Sequence, residues 1–143
     1  MLVKQISVFL ENSKGRLYHV SEILANNNIN IRALSIADTT DFGILRLIVN
    51  DPKKACDILK DNHFTVSMTD VIAIAVEDAP GGLSKALKVL SESDIGVEYM
   101  YAFVGNHKGH AAVILRVEAF EDAIKILGAH GIQVLSSQVV CEV

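Results

Sequence analysis

Two stretches of this chain decide its fold: Ile6-Ser7-Val8-Phe9-Leu10-Glu11-Asn12-Ser13-Lys14-Gly15-Arg16-Leu17 and Ile72-Ala73-Ile74-Ala75-Val76-Glu77-Asp78-Ala79-Pro80-Gly81-Gly82-Leu83. They align at a spacing of 66 residues, and the same spacing pairs Leu24 with Leu90, Asn28 with Asp94 and Ile29 with Ile95. Further on, Ala55, Leu59 and Val66 pair with Ala123, Leu127 and Val134 at a spacing of 68. The chain is therefore two copies of one unit. The second copy's two extra residues are assigned to the Gly105-Asn106-His107-Lys108-Gly109 turn. The copies divide near Thr69-Asp70, into residues 1–69 and 70–143. No Gly-Ser or Pro-rich linker separates them, so two units packed side by side are expected.

Each copy reads strand, helix, strand, strand, helix, strand. Ile6, Val8 and Leu10 alternate with Gln5, Ser7 and Phe9, the period of a strand. Leu17, Val20, Ile23 and Leu24 form one helical stripe, which is expected to start after the N-cap candidates Asn12 and Ser13 and to end at Asn26-Asn27-Asn28. Strands follow near residues 30–37 and 43–49, with the turn-rich Asp38-Thr39-Thr40-Asp41 between them. Asp51-Pro52 marks a sharp start for a second helix, with Ala55, Ile58 and Leu59 on its buried face. The second copy repeats the pattern, with Leu83, Ala86, Leu87 and Leu90 as one stripe and Ala123, Ile126 and Leu127 as the other. Units of this order and length predict an α+β fold: two ferredoxin-like βαββαβ units, each with an antiparallel sheet and both helices on one face.

The other sheet face raises a question. Val71, Ala73 and Ala75 point away from the predicted helices, as does Phe9. A strand apolar on both sides is buried on both sides. Packing of sheet on sheet is expected, through a second chain or between the halves, which makes a homodimer the expected state.

Composition bounds the function. The chain has 143 residues, half of them hydrophobic, and a mean hydropathy of +0.34, which excludes disorder. Its net charge of −4 argues against nucleic acid and anionic membranes as partners. Two cysteines form no disulfide framework, which fits a reducing cytoplasm. The longest apolar run, Val71 to Val76, is far short of the ~20 residues of a membrane span, and no signal-peptide pattern is seen. No nucleophile with a base, no phosphate-cradling loop and no carboxylate pair in a cleft is recognisable, so the reading is non-catalytic and cofactor-free. His107 and His110 could hold a transition metal only with further ligands, and the sequence supplies no local cluster. His63 and His130 occupy equivalent places near helix ends, and Cys56 and Cys141 read as buried apolar residues. The aromatic segment Tyr99-Met100-Tyr101-Ala102-Phe103 reads as packing rather than a base-stacking platform.

The strand-to-helix segments Glu77-Asp78-Ala79-Pro80-Gly81-Gly82-Leu83 and Glu11-Asn12-Ser13-Lys14-Gly15-Arg16-Leu17 carry a further signal, as do Ser93-Asp94-Ile95-Gly96-Val97 and Asn27-Asn28-Ile29-Asn30-Ile31. Together they resemble the ACT domain, a regulatory module with the pattern D-x-P-G-x-L, a helix, then G-I-N-I or a relative. Asn50 to Pro52 and His63-Phe64-Thr65-Val66 resemble it too. The first copy departs from the pattern at Asn12 and Lys14, the second at Asp94 and Gly96. The resemblance implies a free-standing regulatory protein that binds an amino acid at interfaces between paired domains and answers to a regulated enzyme.

The physics of the turn points the same way. A glycine turn that opens a helix presents backbone N–H groups and the positive end of the helix dipole, which suits a carboxylate. Gly15, Gly81 and Gly82 would let a ligand approach closely. The candidate binding residues are therefore Asn12, Ser13, Gly15, Arg16 and Leu17 with Asn28, Ile29 and Asn30 in the first copy. In the second they are Asp78, Ala79, Gly81, Gly82 and Leu83 with Asp94 and Ile95. Asp78 is the candidate partner for a ligand ammonium. The plainer reading is that Asn12, Asp78 and the glycines only cap helices. The alternative function is a ligand-free interaction module that pairs through its sheet with an enzyme or with itself.

Overall fold

A computed structural model of the chain describes residues 2–11, 13–38, 41–103 and 109–142. The element order is β1 (Val3–Glu11), α1 (Arg16–Asn26), β2 (Ile31–Asp38), β3 (Phe42–Val49), α2 (Pro52–Asp61), β4 (Thr65–Glu77), α3 (Gly82–Glu92), β5 (Val97–Ala102), β6 (His110–Val117), α4 (Phe120–Ala129), β7 (Gln133–Leu135) and α5 (Ser137–Glu142). Two compact units emerge, Lys4–Thr69 and Asp70–Cys141, with the residues up to Val3 joining the second. Along the chain, strand β4 spans the boundary between Thr69 and Asp70.

In the first unit β3 lies between β1 and β2, antiparallel to both, with Ile6 opposite Leu47 and Val8 opposite Leu45. The start of β4 completes the sheet beside β1. Ile6, Val8 and Leu10 pack with Leu45, Leu47 and Val49, and both helices close over them through Val20, Leu24, Ala55 and Leu59. Alternation along the strands and the i, i+4 spacing along the helices put these residues on facing surfaces. The second unit repeats the arrangement. Its β6 lies between β4 and β5, and β7 pairs with the other edge of β4. Ile72, Ile74 and Val76 meet Val113, Leu115 and Val117 under Ala86, Leu90, Ala123 and Leu127. Burying one such leucine is worth about 1.5–3 kcal/mol. The ferredoxin-like order, with helices on one face, is the predicted one.

Several local expectations change. Leu17 and Leu83, placed in the buried stripes by their spacing, are 42% and 37% exposed, and each stands in the first turn of its helix. Helix α1 does not begin on a Ser13 side-chain cap. Its N-cap is Gly15, in the left-handed region at φ 85°. Cys56 is buried as expected, but Cys141 is only half-buried and lies on α5, a helix outside the repeated pattern of strands and helices. The expected burial of the other side of β4 holds within one chain at Val71 and Ala73, which are 1% and 0% exposed, while Ala75 is half-buried. Of the turn assigned to the two extra residues, Gly105 to Lys108, including His107, lie outside the described residues.

All four long helices end the same way. Asn28, His63, Asp94 and Gly131 take positive φ, and the next residue's amide reaches back to the last helical turn, as in Ile29 N–H to Leu24 O at 2.9 Å and Ile95 N–H to Leu90 O at 2.9 Å. This is a Schellman closure, in which a left-handed residue lets the orphan carbonyls find donors. The start of α2 follows its sequence signal: Pro52 is the first helical residue, and the Asp51 side chain accepts the Lys54 N–H at 3.2 Å. Asp51→Ala should therefore cost about 1 kcal/mol in a urea melt. A loss below a few tenths would show that this bond contributes nothing net.

Candidate functional site

The two turns that open α1 and α3 share one construction. Gly15 and Gly81 sit at φ 85° and 88°, a conformation that strains any residue with a Cβ. A Cβ placed on either would meet nothing within 4 Å, so the space in front of each is open. Gly82 differs. A Cβ there would lie 1.9 Å from the Glu77 carbonyl oxygen. The missing side chain at Gly82 makes room for the chain's own strand end, not for a ligand, which corrects the reading of Gly81 and Gly82 as equivalent. At the matching position of the first unit stands Arg16. Its guanidinium lies over the Phe64 ring, 4.9 Å from the centroid, and its Nε is buried without a hydrogen-bond partner.

The turns also use some of the amides they were expected to offer. Arg16 N–H donates to Ser13 O at 3.4 Å, and Gly82 N–H to Ala79 O at 3.0 Å. The next two amides in each helix, those of Leu17 and Tyr18 and of Leu83 and Ser84, precede the first residue that can bond within the helix. A glycine cap brings no side-chain acceptor to them.

The electrostatics separates these two helices from the other two. The start of α2 is capped by the Asp51 carboxylate, and α4 carries Glu121 and Asp122 in its first turn. Helices α1 and α3 have neither a side-chain cap nor an acidic residue in the first turn, among the described residues. Their positive dipole ends are left uncompensated, each worth roughly half a charge. Each start also has a cation close by: Arg16 is the first residue of α1, and Lys85 follows one turn into α3. The acids nearest the start of α3 are Glu77, at the end of β4, and the exposed Asp78, whose N–H donates to Gly109 O at 3.1 Å.

In the second unit the turn opens onto a cleft of about 480 Å³, lined among others by Pro80, Gly81, Gly82, Lys85, His110 and Ile132. That volume lies within the range of small-molecule pockets. The sequence reading missed Lys85, His110 and Ile132 here. Lys85 was findable, one helical turn beyond Gly81. His110 was considered only for a metal, and its place opposite Glu77 comes from strand register. Among the described residues no group of three or more His, Cys, Asp or Glu could hold a metal ion.

The remaining candidates sit elsewhere in each unit. Asp94 and Ile95 line a separate cleft of about 310 Å³ with Gly96, Glu98 and Glu118, at the far end of α3. Eleven residues of helix put about 16 Å between that loop and the Gly81 turn, so no single unit brings them together. Asn28 and Asp94 are the left-handed residues that close α1 and α3, and the Ile29 side chain is core at 5% exposure. Asn30 N–H donates to Asn50 Oδ1 at 2.9 Å, so Asn50, missed as a contributor, ties this loop to the end of β3. Ser13 and Ala79 are exposed turn residues, and Asn12 lies outside the described residues. On the outer side of α1, a 2.6 Å hydrogen bond from the Tyr18 hydroxyl to Glu22, then the charge of that carboxylate, holds the phenol pKa above its usual value.

The sequence profile of the ACT domain pair matches residues 1–142. Protein BT0572 from Bacteroides thetaiotaomicron superposes with a TM-score of 0.94 at 45% identity, covering 100% of this chain and 98% of that one. The regulatory subunit of aspartate kinase from Thermus thermophilus, in a ligand-free form, gives a TM-score of 0.65 at 14% identity over 90% of this chain and 93% of that one. Its counterpart from Thermus flavus gives 0.59 at 12% identity over 88% and 90%. At such identities the two subunits show a shared fold. No curated protein sequence matches the chain.

Proposed function

The chain belongs to the ACT domain pair family, and from that premise we propose that it is a regulatory protein that binds a small molecule, an amino acid in the simplest case, and does no chemistry of its own. One observation carries the reading: of the four long helices, the two that start at glycine turns are the two whose positive ends the chain leaves uncompensated. A ligand carboxylate would complete what Asp51 completes for α2. In the second unit it would face the Leu83 and Ser84 amides beside Lys85. Pro80 and Ile132, which line the cleft, would meet the side chain, and Asp78, which follows Glu77 of the lining without lining the cleft itself, would take the ammonium. Gly15, Leu17 and the half-buried Arg16 would form the corresponding site of the first unit. The loops at Asn28–Asn30 and Asp94–Ile95 would serve a turn other than that of their own unit, since their own lies a helix length away.

Residues 1–69 and 70–143 would then act as two ligand-binding domains of a cytoplasmic sensor. Bound ligand would shift the balance between conformations that a partner, such as a regulated enzyme, can tell apart. The names of the Thermus proteins, regulatory subunits of aspartate kinase, agree with this reading. No helix of the described residues is long and apolar enough to cross a membrane.

The test is a thermal-shift screen against the common amino acids. A ligand at 100 times its Kd adds about 2.7 kcal/mol of stability. For a chain this size that raises Tm by roughly 8–12 °C. Asp78→Ala and Lys85→Ala should each weaken binding of the hit about tenfold or more and leave the ligand-free Tm unchanged. No shift with any amino acid would overturn the amino-acid reading. A hit that both variants bind as tightly as the parent would remove the second-unit cleft as its site.

A further inference from the structure

We propose that the outer face of the first unit's sheet, centred on Phe9, is the contact between two copies of this chain. Strand register sets the layout. On the side away from α1 and α2, Phe9 lies opposite Ile44, which lies opposite Ala37. One step along the strands, Glu11 lies opposite Phe42. One step the other way, Ser7 lies opposite Arg46. Phe9 and Phe42 are 48% and 56% exposed, and Ile44 and Ala37 are half-buried. Phe9 and Phe42 are diagonal neighbours on adjacent strands, within reach of one another. Two phenylalanines on one exposed sheet face form the kind of apolar patch that marks an interaction surface.

The fold itself does not require these residues. In the second unit the positions matching Phe9, Ile44 and Phe42 hold Ala75, Ala112 and His110. Nor is the first unit's outer face open throughout. At its other end Gln5, Ala33 and Ile48 are fully buried. The exposure is confined to the two phenylalanines and their neighbours.

Charge identifies the occupant as a second copy. Consecutive rows on one sheet face lie about 6.8 Å apart, so the Glu11–Phe42 and Ser7–Arg46 rows flank the Phe9 row at equal distance. Place a twofold axis between two facing sheets, running along the Phe9–Ile44–Ala37 row. It stacks Phe9 on its copy and lays each Glu11–Phe42 row over the other copy's Ser7–Arg46 row. Every Arg46 guanidinium then meets a Phe42 ring, with a Glu11 carboxylate one strand away. The surface is self-complementary, as a closed twofold contact must be.

Light scattering on the full chain at about 50 μM should then give twice the 15.5 kDa chain mass. Phe9→Glu and Phe42→Glu should each weaken the dimer at least about a hundredfold, since each substitution acts twice at the centre of the contact. Both side chains are half exposed, so circular dichroism should hold, and Tm should fall only by what the dimer contributed, a difference that vanishes on dilution. Glu11→Arg should weaken the dimer, and adding Arg46→Glu should recover part of the loss, since the ion pair returns while the Arg46–Phe42 contact does not. A parent chain that stays monomeric at this concentration would overturn the proposal. So would a dimer that both phenylalanine variants leave intact.

Discussion

Gly82→Ala is expected to lower stability by about 3 kcal/mol, the upper end of what overpacking usually costs. The added methyl would stand 1.9 Å from the Glu77 carbonyl oxygen and 2.9 Å from its carbon, both backbone atoms that no side-chain rotation can move aside. Relief would require α3 to lift from the end of β4, which loosens Ala86 and Leu90 in the core beneath. Gly96→Ala is the control. That glycine has no positive φ, and a Cβ there meets nothing within 4 Å. It should be neutral, or stabilising by up to about 1 kcal/mol through the unfolded state. Urea melts of the two variants decide the matter. Equal losses in both would show that the Glu77 contact is not what demands glycine at position 82.

Leu59→Ala and Leu127→Ala are expected to cost about 3 kcal/mol each, the middle of the range for a buried leucine truncated to alanine. The two residues are repeat equivalents on α2 and α4, and each is fully buried in its own cluster. If residues 1–69 and 70–143 are separate folding units, amide exchange should report each loss locally. Leu59→Ala would speed exchange in β1, β3 and α1 first. Leu127→Ala would do so in β6, α3 and the second half of β4. Uniform acceleration across the chain in both variants would mean that the pair unfolds as one body and that the division near Thr69-Asp70 is only geometric.

The two glycine turns show where sequence reading stopped. Gly81 and Gly82 are adjacent and chemically identical, and the turn pattern treats them alike. Only the strand end beneath them separates their roles: Gly81 holds a left-handed turn with open space before it, while Gly82 clears a backbone oxygen. Asn28 and Asp94 looked like polar groups offered to a ligand. Their positive φ shows that each closes a helix, a use that Asn and Asp suit because their short polar side chains tolerate that conformation. Leu17 and Leu83 fitted the helical stripe by spacing, but periodicity does not say how far along a helix the stripe is covered. The uncompensated starts of α1 and α3 were half legible. The glycines were visible, but the contrast with Asp51 on α2 and Glu121 and Asp122 on α4 needed true helix boundaries.

By itself the sequence determined the duplication, the order of strands and helices in each copy, the strand faces that meet the helices and the sharp start of α2. These follow from periods of 2 and 3.6 and from the local chemistry of proline and acidic caps, which act over a few residues. Tertiary structure alone decided the rest: helix α5, the gathering of Lys85, His110 and Ile132 around the Gly81 turn, and the exposure of Phe9 and Phe42. Each of these depends on which distant segments meet across a sheet, and residues far apart in the chain carry no local mark of the neighbour they will have.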